Sequence, residues 1–105
     1  MTFRIRRTKA AREDLMNIAR YTRDMWGDEQ LQIYMHELET RISTLTDKPQ
    51  TAGQDASYLV PGLGRLTHHD HYGIFYRING SDIEIMRVLH LRRNWQRILL
   101  VTSDH

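Results

Sequence analysis

The sequence predicts one small α+β domain, in which an antiparallel helical hairpin packs against one face of a largely antiparallel sheet. Between residues 10 and 46, apolar side chains recur at steps of three and four, which is the pattern of amphipathic helices. β-rich runs on both sides of Asn79-Gly80 predict a hairpin. The 105 residues leave no room for a second core, so we expect one domain over residues 1–105, ending in a tail at 94–105.

The first two elements are a strand and a helix. Residues 3–7 alternate apolar and basic side chains, which predicts a half-buried strand. Thr8 suits the N-cap of the following helix, and Glu13 and Asp14 are expected to complement its dipole. We expect Tyr21 and Trp26 to pack at the corner where this helix ends. The predicted apolar stripe is Ala11, Leu15, Ile18, Ala19, Thr22 and Met25 or Trp26.

A second helix and three strands follow. Asp28 is expected to cap the helix after the break at Gly27, and Pro49 is expected to stop it. The strands are predicted at 65–69, 71–78 and 82–91, with two positive φ angles at Asn79-Gly80. The apolar run 98–101 in the tail must pack or pair. The stripe of the second helix is Leu31, Tyr34, Leu38, Ile42 and Leu45, and the anchors expected in an ordered loop at 49–64 are Tyr58, Leu59, Val60 and Leu63.

Composition bounds the function. The net charge is +2 and the pI is about 9.2, which is weak evidence for nucleic-acid binding. All the cations except Lys9 and Lys48 are arginines, which reflects either compositional bias or an interface rich in forked contacts. The chain has no cysteine, no apolar run long enough for a membrane span and no apolar leader in residues 1–7. We therefore expect a cytoplasmic protein.

Four local motifs resemble one protein family. They are Ala11-x-x-Asp14-Leu15-x-x-Ile18-x-x-Tyr21-Thr22, Trp26-Gly27, Ile74-Phe75-Tyr76-Arg77 and Arg87-Val88-Leu89-His90. In this order and spacing, over about residues 3–93, the chain resembles a ParE-like toxin of the ParE/RelE superfamily. The resemblance implies a type II toxin–antitoxin system of the plasmid-stabilisation kind, a ParD-like or similar antitoxin and no cofactor. ParE-like members are associated with poisoning DNA gyrase, whereas RelE-like members cut mRNA in the ribosomal A site.

The residues favour a binding toxin over an enzyme. A metal-free ribonuclease needs a base, an acid and an arginine on one surface, and His90, Arg77 and Arg65 are the candidates. The chain resembles YoeB-type ribonucleases in the same two strands, but Gly73 stands at their arginine and Leu91 at their tyrosine. We therefore expect a non-catalytic gyrase inhibitor. Ribosome-dependent mRNA cleavage, and with it direct nucleic-acid binding, is the alternative.

Strand parity constrains any site on the last strand. A period of two places Met86, Val88 and His90 on one face and Ile85, Arg87 and Leu89 on the other, so Arg87 and His90 are expected to point apart. His90 is either a functional group or a strand-end histidine bonded to a carbonyl. The residues expected to bind the target are Arg87, His90, Arg92, Arg93, Trp95 and Arg97.

Several of these expectations have a structural alternative. Arg77 and Arg87 could instead pair with Asp14, Asp70 or Glu84, and Trp95 could simply dock the tail onto the sheet. Charge reversal at Arg87 together with Arg92 is predicted to weaken toxicity without unfolding the domain. The antitoxin is expected to lay an amphipathic helix on residues 10–46 and to add a strand at the sheet edge. Its expected contacts are Tyr21, Met25, Tyr34, Met35 and Leu38.

The histidines around Asp70 suggest a metal site only weakly. His69 and His71 would share a strand face, and a third ligand such as Asp55 would have to be recruited. We therefore interpret His68, His69 and His71 as part of a polar strand edge and turn, and we predict no metal.

Overall fold

A five-stranded mixed sheet is the centre of the fold, and the computed structural model describes residues 2–56 and 64–103. The expected loop anchors Tyr58, Leu59, Val60 and Leu63 lie outside the described residues. The strands are β1 (Arg4–Arg7), β2 (Gln54–Asp55), β3 (Arg65–His69), β4 (Tyr72–Asn79) and β5 (Asp82–His90), in the spatial order β1-β5-β4-β3-β2. The helices are α1 (Lys9–Trp26), α2 (Asp28–Ser43), α3 (Pro49–Ala52) and α4 (Trp95–Ser103). β1 runs parallel to β5 and the other pairs are antiparallel, so the predicted α+β class is confirmed.

The helical hairpin turns on a single glycine. Thr8 caps α1 as predicted, because its Oγ1 accepts a hydrogen bond from Ala11 N at 3.0 Å. Gly27 ends α1 with a φ of 91°, a conformation that suits glycine, and it also serves as the N-cap of α2. The prediction that Asp28 caps α2 is therefore wrong, since Asp28 lies in its first turn.

Two further boundaries differ from prediction. The second helix ends at Ser43, followed by a 3₁₀ turn at Thr44–Thr46, so Pro49 does not stop it. Pro49 instead opens α3, at a position where its missing N–H is not needed. In α1, Glu13 and Asp14 lie beyond the first turn, which contains no acidic residue. They are therefore too far from the helix start to act mainly on its dipole.

Helices cover both faces of the sheet, so the expectation of one covered face was incomplete. The inner face packs against α1 and α2 through Leu15, Ile18, Leu38, Ile42, Ile74, Tyr76, Ile83, Ile85 and Val88. The outer face carries a smaller cluster of Ala56, Phe75, Leu89 and Leu99, with Leu66, Met86, Leu91 and Trp95 around it. Leu99 belongs to α4 and is 2% exposed. The predicted tail is therefore a helix docked on the sheet.

Both hairpin turns are two-residue turns with a positive φ at the first central residue. Asn79 pairs with Asp82, so the turn residues are Gly80 and Ser81, and only Gly80 has a positive φ, of 62°. This is the type II′ pattern, and the predicted pair of positive angles at Asn79-Gly80 is wrong. The β3–β4 turn places Asp70 in the same conformation, with a φ of 55°. Asp is one of the few residue types that tolerate it.

A β-bulge at Met86 changes the parity of β5. Phe75 pairs with Arg87, but the next residue, Tyr76, pairs with Ile85, so Met86 is an extra residue. Met86 belongs to the outer cluster and Arg87 pairs with Phe75, which is also on the outer face, while Ile85 and Val88 both enter the inner core. The parity predicted for Met86 and Ile85 is therefore wrong. The separation of Arg87 from His90 survives, because both lie beyond the bulge.

Candidate functional site

An aromatic cleft opens where the helical hairpin passes the end of the sheet. Its volume is about 550 Å³. It lies next to the corner at Gly27 and reaches down to the β3–β4 turn and the end of β5. Trp26 lies four residues after Thr22, on the same side of α1 as the core stripe. Because α1 extends past the end of the sheet here, the indole has no sheet to pack against and is 69% exposed. The cleft is lined by Tyr21, Thr22, Trp26, Gln30, Tyr34, Asp70, His71, Tyr72 and His90.

Edge-on contacts between rings, together with one carboxylate, organise the floor of the cleft. Tyr72 meets both Tyr34 and His90 edge-on, with ring centroids 6.2 and 5.2 Å apart. The hydroxyl of Tyr34 donates to Oδ2 of Asp70 at 3.3 Å, and Nε2 of His71 lies 3.6 Å from Oδ1. Burial, followed by the charge of Asp70, raises the pKa of Tyr34, and burial raises the pKa of Tyr72. Both phenols therefore stay protonated at neutral pH.

His90 is held as a neutral imidazole. Its Nδ1 accepts a hydrogen bond from Arg92 N at 3.1 Å, so the predicted bond to a carbonyl is replaced by one from a backbone N–H. Burial, followed by the charge of Arg93, lowers the pKa of His90 below its ordinary value of 6.5. The ring of His71 lies 5.9 Å away. The imidazole thus shapes the cleft and closes the turn that follows β5.

The candidate catalytic arginines do not meet His90. His90 pairs with Tyr72, whereas Arg65 pairs with Tyr76, four residues along β4, which is about 13 Å at about 3.3 Å per residue. A guanidinium nitrogen of Arg65 donates to the carbonyl of Gly53. Arg77 lies one residue further, and its Nη2 pairs with Oε2 of Glu84 at 3.0 Å. The predicted alternative of a salt bridge is confirmed for Arg77, and the three candidates do not form one constellation.

The space above Gly73 is filled by apolar side chains. A Cβ at this position would stand 2.7 Å from Cδ2 of Leu91, 3.1 Å from Cδ1 of Leu66 and 3.1 Å from Cε2 of Phe75. Even a methyl group at this point of the outer face would therefore require the end of the Leu91 side chain to move, and a guanidinium is much larger than a methyl group. Leu91, which stands at the tyrosine position of the YoeB-type pattern, occupies part of that space.

Arg87 belongs to a structural ion pair. Beyond Arg7 the edge of β5 is no longer paired with β1, and Asp14 of α1 takes this place. Its carboxylate accepts from Nε of Arg87 at 2.7 Å, from Nη2 at 2.8 Å and from the backbone N–H of Val88 at 2.9 Å. The two side chains are 16% and 10% exposed. The alternative that Arg87 pairs with Asp14 is confirmed, and Arg87 is not available as a surface contact.

Three arginines, two before α4 and one within it, are exposed to solvent. Arg92, Arg93 and Arg97 are exposed, and among the described residues no ion pair involves their guanidinium groups. Trp95 lies between them and packs on Phe75, with ring centroids 5.4 Å apart. The docking alternative for Trp95 is therefore confirmed. The exposed basic cluster, defined as Arg92, Arg93 and Arg97, lies on the connection between β5 and α4 and on α4 itself.

The expected antitoxin contacts divide by burial. Tyr21 and Met25 are exposed on α1, at 49% and 58%. Tyr34 and Met35 are half-buried and pack against the inner core. Leu38 is fully buried, so the expectation that it contacts a partner is wrong. Exposed apolar residues that the sequence reasoning missed are Met16, Trp26, Ile33 and Ile98, which lie off the core stripes or beyond the sheet.

The histidines of the β3–β4 turn do not converge on one point. His69 lies against Tyr34, with ring centroids 5.5 Å apart, and its Nε2 is 3.6 Å from Glu37. His71 turns towards Asp70 and His90. In the part of the chain that the structure describes, no three metal-binding side chains come together. None of the helices there combines the length and apolar character needed to cross a bilayer.

The sequence matches one protein family over most of its length. Residues 5–95 match the family model described as ParE toxin of type II toxin-antitoxin system, parDE. The chain is 36% identical to Toxin ParE1 of Caulobacter vibrioides over 89 residues, which cover 85% of this chain and 90% of the relative. It is 33% identical to Toxin ParE1 of Mycobacterium tuberculosis over 100 residues, which cover 94% of this chain and 100% of the relative.

Two solved structures share the fold. A chain of the chromosomal ParDE toxin–antitoxin system from P. aeruginosa superposes with a TM-score of 0.72 at 20% identity, covering 86% of this chain and 97% of its own. A chain of the RelBE2 toxin–antitoxin complex from Mycobacterium tuberculosis superposes with a TM-score of 0.59 at 21% identity, covering 86% and 99%. At this level of identity the likeness concerns the fold alone.

Proposed function

Because the chain belongs to the ParE toxin family of type II toxin–antitoxin systems, we propose that it acts in the cytoplasm by binding and inhibiting DNA gyrase. We further propose that a cognate ParD-like antitoxin neutralises it. The observation that carries the choice of binding over cleavage is the packing at Gly73. The site where YoeB-type ribonucleases have an arginine is closed here by Leu91, Leu66 and Phe75.

The dispersal of the titratable groups supports the same choice. An acid–base cleavage of RNA requires groups within hydrogen-bonding reach of one phosphodiester. Arg65 and Arg77 are engaged about 13 Å or more along the sheet from His90, and Arg87 is bound to Asp14. No described arginine or lysine lines the cleft beside His90, and Arg93, whose charge contributes to the lowered pKa of His90, lines the neighbouring depression instead.

The proposed target surface is the exposed basic cluster of Arg92, Arg93 and Arg97. These guanidinium groups keep their five donors free for carboxylates of a partner, because no described acidic side chain pairs with them. Trp95 supports this surface from below by packing on Phe75, and His90 fixes the preceding turn through Arg92 N. Of the residues expected to bind the target, Arg87 is left out of the proposal.

The proposed antitoxin surface is the outer side of the helical hairpin. Its exposed apolar residues on α1 and α2 fit the apolar face of an amphipathic helix. Tyr21 and Met25 keep their predicted roles, Tyr34 and Met35 form the half-buried floor, and Leu38 is withdrawn. The exposed residues that extend the surface are Met16, Trp26 and Ile33. A strand of the antitoxin could pair with the outer edge of β1 or of β2, which are the two edge strands of the sheet.

A reconstituted supercoiling assay tests the proposal. Purified chain is added to gyrase and relaxed plasmid, and in parallel to a cell-free translation reaction in which mRNA integrity is followed by primer extension. We expect loss of supercoiling activity and intact mRNA. Cleaved mRNA with normal supercoiling would overturn the proposal in favour of the ribonuclease alternative.

Charge reversal tests whether inhibition of gyrase depends on the basic cluster itself or only on the net charge of the chain. The triple variant Arg92→Glu, Arg93→Glu, Arg97→Glu is expected to lose inhibition of gyrase by at least about tenfold, the change that 1.4 kcal/mol of binding free energy produces. The control variant reverses three exposed cations on other parts of the chain, with the same change in net charge, and is expected to inhibit normally. The control positions are Lys9, Arg20 and Lys48. Equal inhibition by both variants would remove the basic cluster from the target surface.

A further inference from the structure

The composition of the aromatic cleft restricts what can occupy it. Among the described residues that line it, Asp70 is the one carboxylate, and there is no lysine or arginine. Tyr21, Trp26, Tyr34 and Tyr72 contribute their rings. Ring faces carry negative charge density, and tryptophan attracts cations best. The cleft therefore combines a formal negative charge with several weakly negative surfaces.

Asp70 has unused capacity to accept hydrogen bonds. It receives one hydrogen bond, from Tyr34, and lies 3.6 Å from Nε2 of His71, but its side chain remains 49% exposed. An ionised carboxylate offers about four acceptor positions. An apolar occupant would cover this charge without replacing its water, which costs free energy, and an anionic occupant would be repelled. A cationic occupant avoids both costs.

The neighbouring bases leave this charge in place. Burial, followed by the charge of Arg93, lowers the pKa of His90, so the imidazole is neutral at pH 7. Its Nδ1 is also engaged with Arg92 N and cannot turn towards Asp70. Arg93 is not among the residues lining this cleft and faces the neighbouring depression together with Asp14 and Trp95.

We propose that the aromatic cleft receives one cationic side chain, an arginine or a lysine, from the antitoxin. The proposal deepens the proposed function, since the antitoxin surface on α1 is continuous with the cleft through Tyr21 and Trp26. The charged head pairs with Asp70 on the floor, and the methylene stem lies between Trp26 and Tyr72. The antitoxin helix is thereby fixed in register by one charged anchor next to the Gly27 corner.

The affinity of the cleft for cations is measured without any partner protein. The isotopically labelled full chain is titrated with Nα-acetyl-arginine amide, with Nα-acetyl-lysine amide and with the neutral isostere Nα-acetyl-citrulline amide, and the indole N–H signals are followed by NMR. We expect the arginine or the lysine probe to shift the signal of Trp26, with citrulline at least tenfold weaker. Trp95 packs on the outer face and is the internal reference, whose signal stays unchanged.

Two variants assign the effect to one carboxylate. Asp70→Asn introduces a residue that also tolerates the positive φ, so the variant should fold. It is expected to bind the cationic probe about tenfold more weakly. Asp47→Asn removes the same charge from an exposed position beyond the far end of α2 and is expected to change nothing. Equal binding of the citrulline and arginine probes, or stronger binding of Nα-acetyl-leucine amide, would overturn the proposal. Unchanged binding of the arginine probe by the Asp70→Asn variant would also overturn it. The same holds if no signal shifts at 100 mM probe, because even a weak site with a Kd of about 1 mM would then be saturated.

The source of the cation is tested in the co-purified complex. Asp70→Asn is expected to lower retention of the cognate antitoxin about tenfold, while Asp47→Asn retains it fully. Equal retention by both variants would overturn the assignment of the cation to the antitoxin. If the chain leaves supercoiling by gyrase intact but binds the arginine probe, the gyrase proposal fails and the cation-site proposal stands. The failure of one proposal can therefore be distinguished from the failure of the other.

Discussion

Breaking the ion pair between Asp14 and Arg87 should strongly destabilise the chain, and a double-mutant cycle can measure the coupling between the two residues. Removing either partner leaves the other charge mostly buried, which costs about 3–5 kcal/mol. Asp14→Ala also leaves the N–H of Val88 without its acceptor, at about 1–3 kcal/mol if water cannot replace it. A chain of 105 residues has a total stability of about 5–15 kcal/mol, so either single variant approaches the unfolding threshold.

The expected effect on the melting temperature follows from the size of the chain. The unfolding entropy of a domain of this length is about 0.22 kcal/mol/K, so a loss of 3 kcal/mol lowers Tm by about 14 °C. We expect each of Asp14→Ala and Arg87→Ala to melt at least about 14 °C lower, and the double variant to be more stable than the sum of the two losses by about 2–3 kcal/mol. Calorimetry and urea titration measure all four corners of the cycle.

A matched pair on the surface is the control. Arg77 and Glu84 form a similar contact at 3.0 Å, but the side chain of Arg77 is 44% exposed. Their coupling is expected to stay below about 1 kcal/mol. If the Asp14–Arg87 coupling is no larger than that of this control pair, the argument from burial is refuted. The same reasoning replaces the prediction of harmless charge reversal at Arg87, since a glutamate there would face Asp14 and unfold the chain.

Further predictions concern a cap, a tight contact and a titration. Thr8→Ala should cost about 1–2 kcal/mol by urea titration, because the α1 cap and a bond to Met86 are lost together; an unchanged midpoint would show that neither matters. Gly73→Ala should cost about 1–3 kcal/mol through its contact with Leu91, and the double variant Gly73→Ala, Leu91→Ala should recover part of this; no recovery would contradict the packing argument. The folded pKa of His90 is lowered, so the unfolded chain binds its proton first and stability falls as pH drops from 6.5 through the folded pKa. His90→Gln should flatten that fall in denaturation measured at several pH values, and an equally steep fall would exclude His90 as its source.

Sequence periodicity and end signals predicted most of the framework. The strands at 65–69, 71–78 and 82–91 were placed to within one residue, and Thr8 was identified as a cap. These features are local, because they depend on residues next to one another. The bulge at Met86 depends on pairing with Phe75 and Tyr76, and no local pattern in β5 reveals it.

The candidate site was less accessible to sequence reasoning, because it is built from separate segments. Trp26 continues the core stripe of α1, and only the length of the sheet decides that it is exposed. Gln30 reaches the cleft from the corner of the helical hairpin and Asp70 from the tight β3–β4 turn, and these two residues are 40 positions apart in sequence. Conversely, the salt-bridge partners of Arg77 and Arg87, which are Glu84 and Asp14, were two of the three acidic residues predicted as partners from the sequence.

The bulge lets β5 carry one additional residue without changing the faces on which its neighbours lie. Deleting Met86 would leave Ile85 opposite Tyr76, Arg87 opposite Phe75 and Val88 opposite Ile74, which is a regular antiparallel ladder, so every remaining side chain would keep its face. The deletion would remove the packing of Met86 in the outer cluster and the carbonyl that accepts a hydrogen bond from the Thr8 hydroxyl. We therefore expect the shortened chain to fold with the same core, at a loss of stability that urea titration measures.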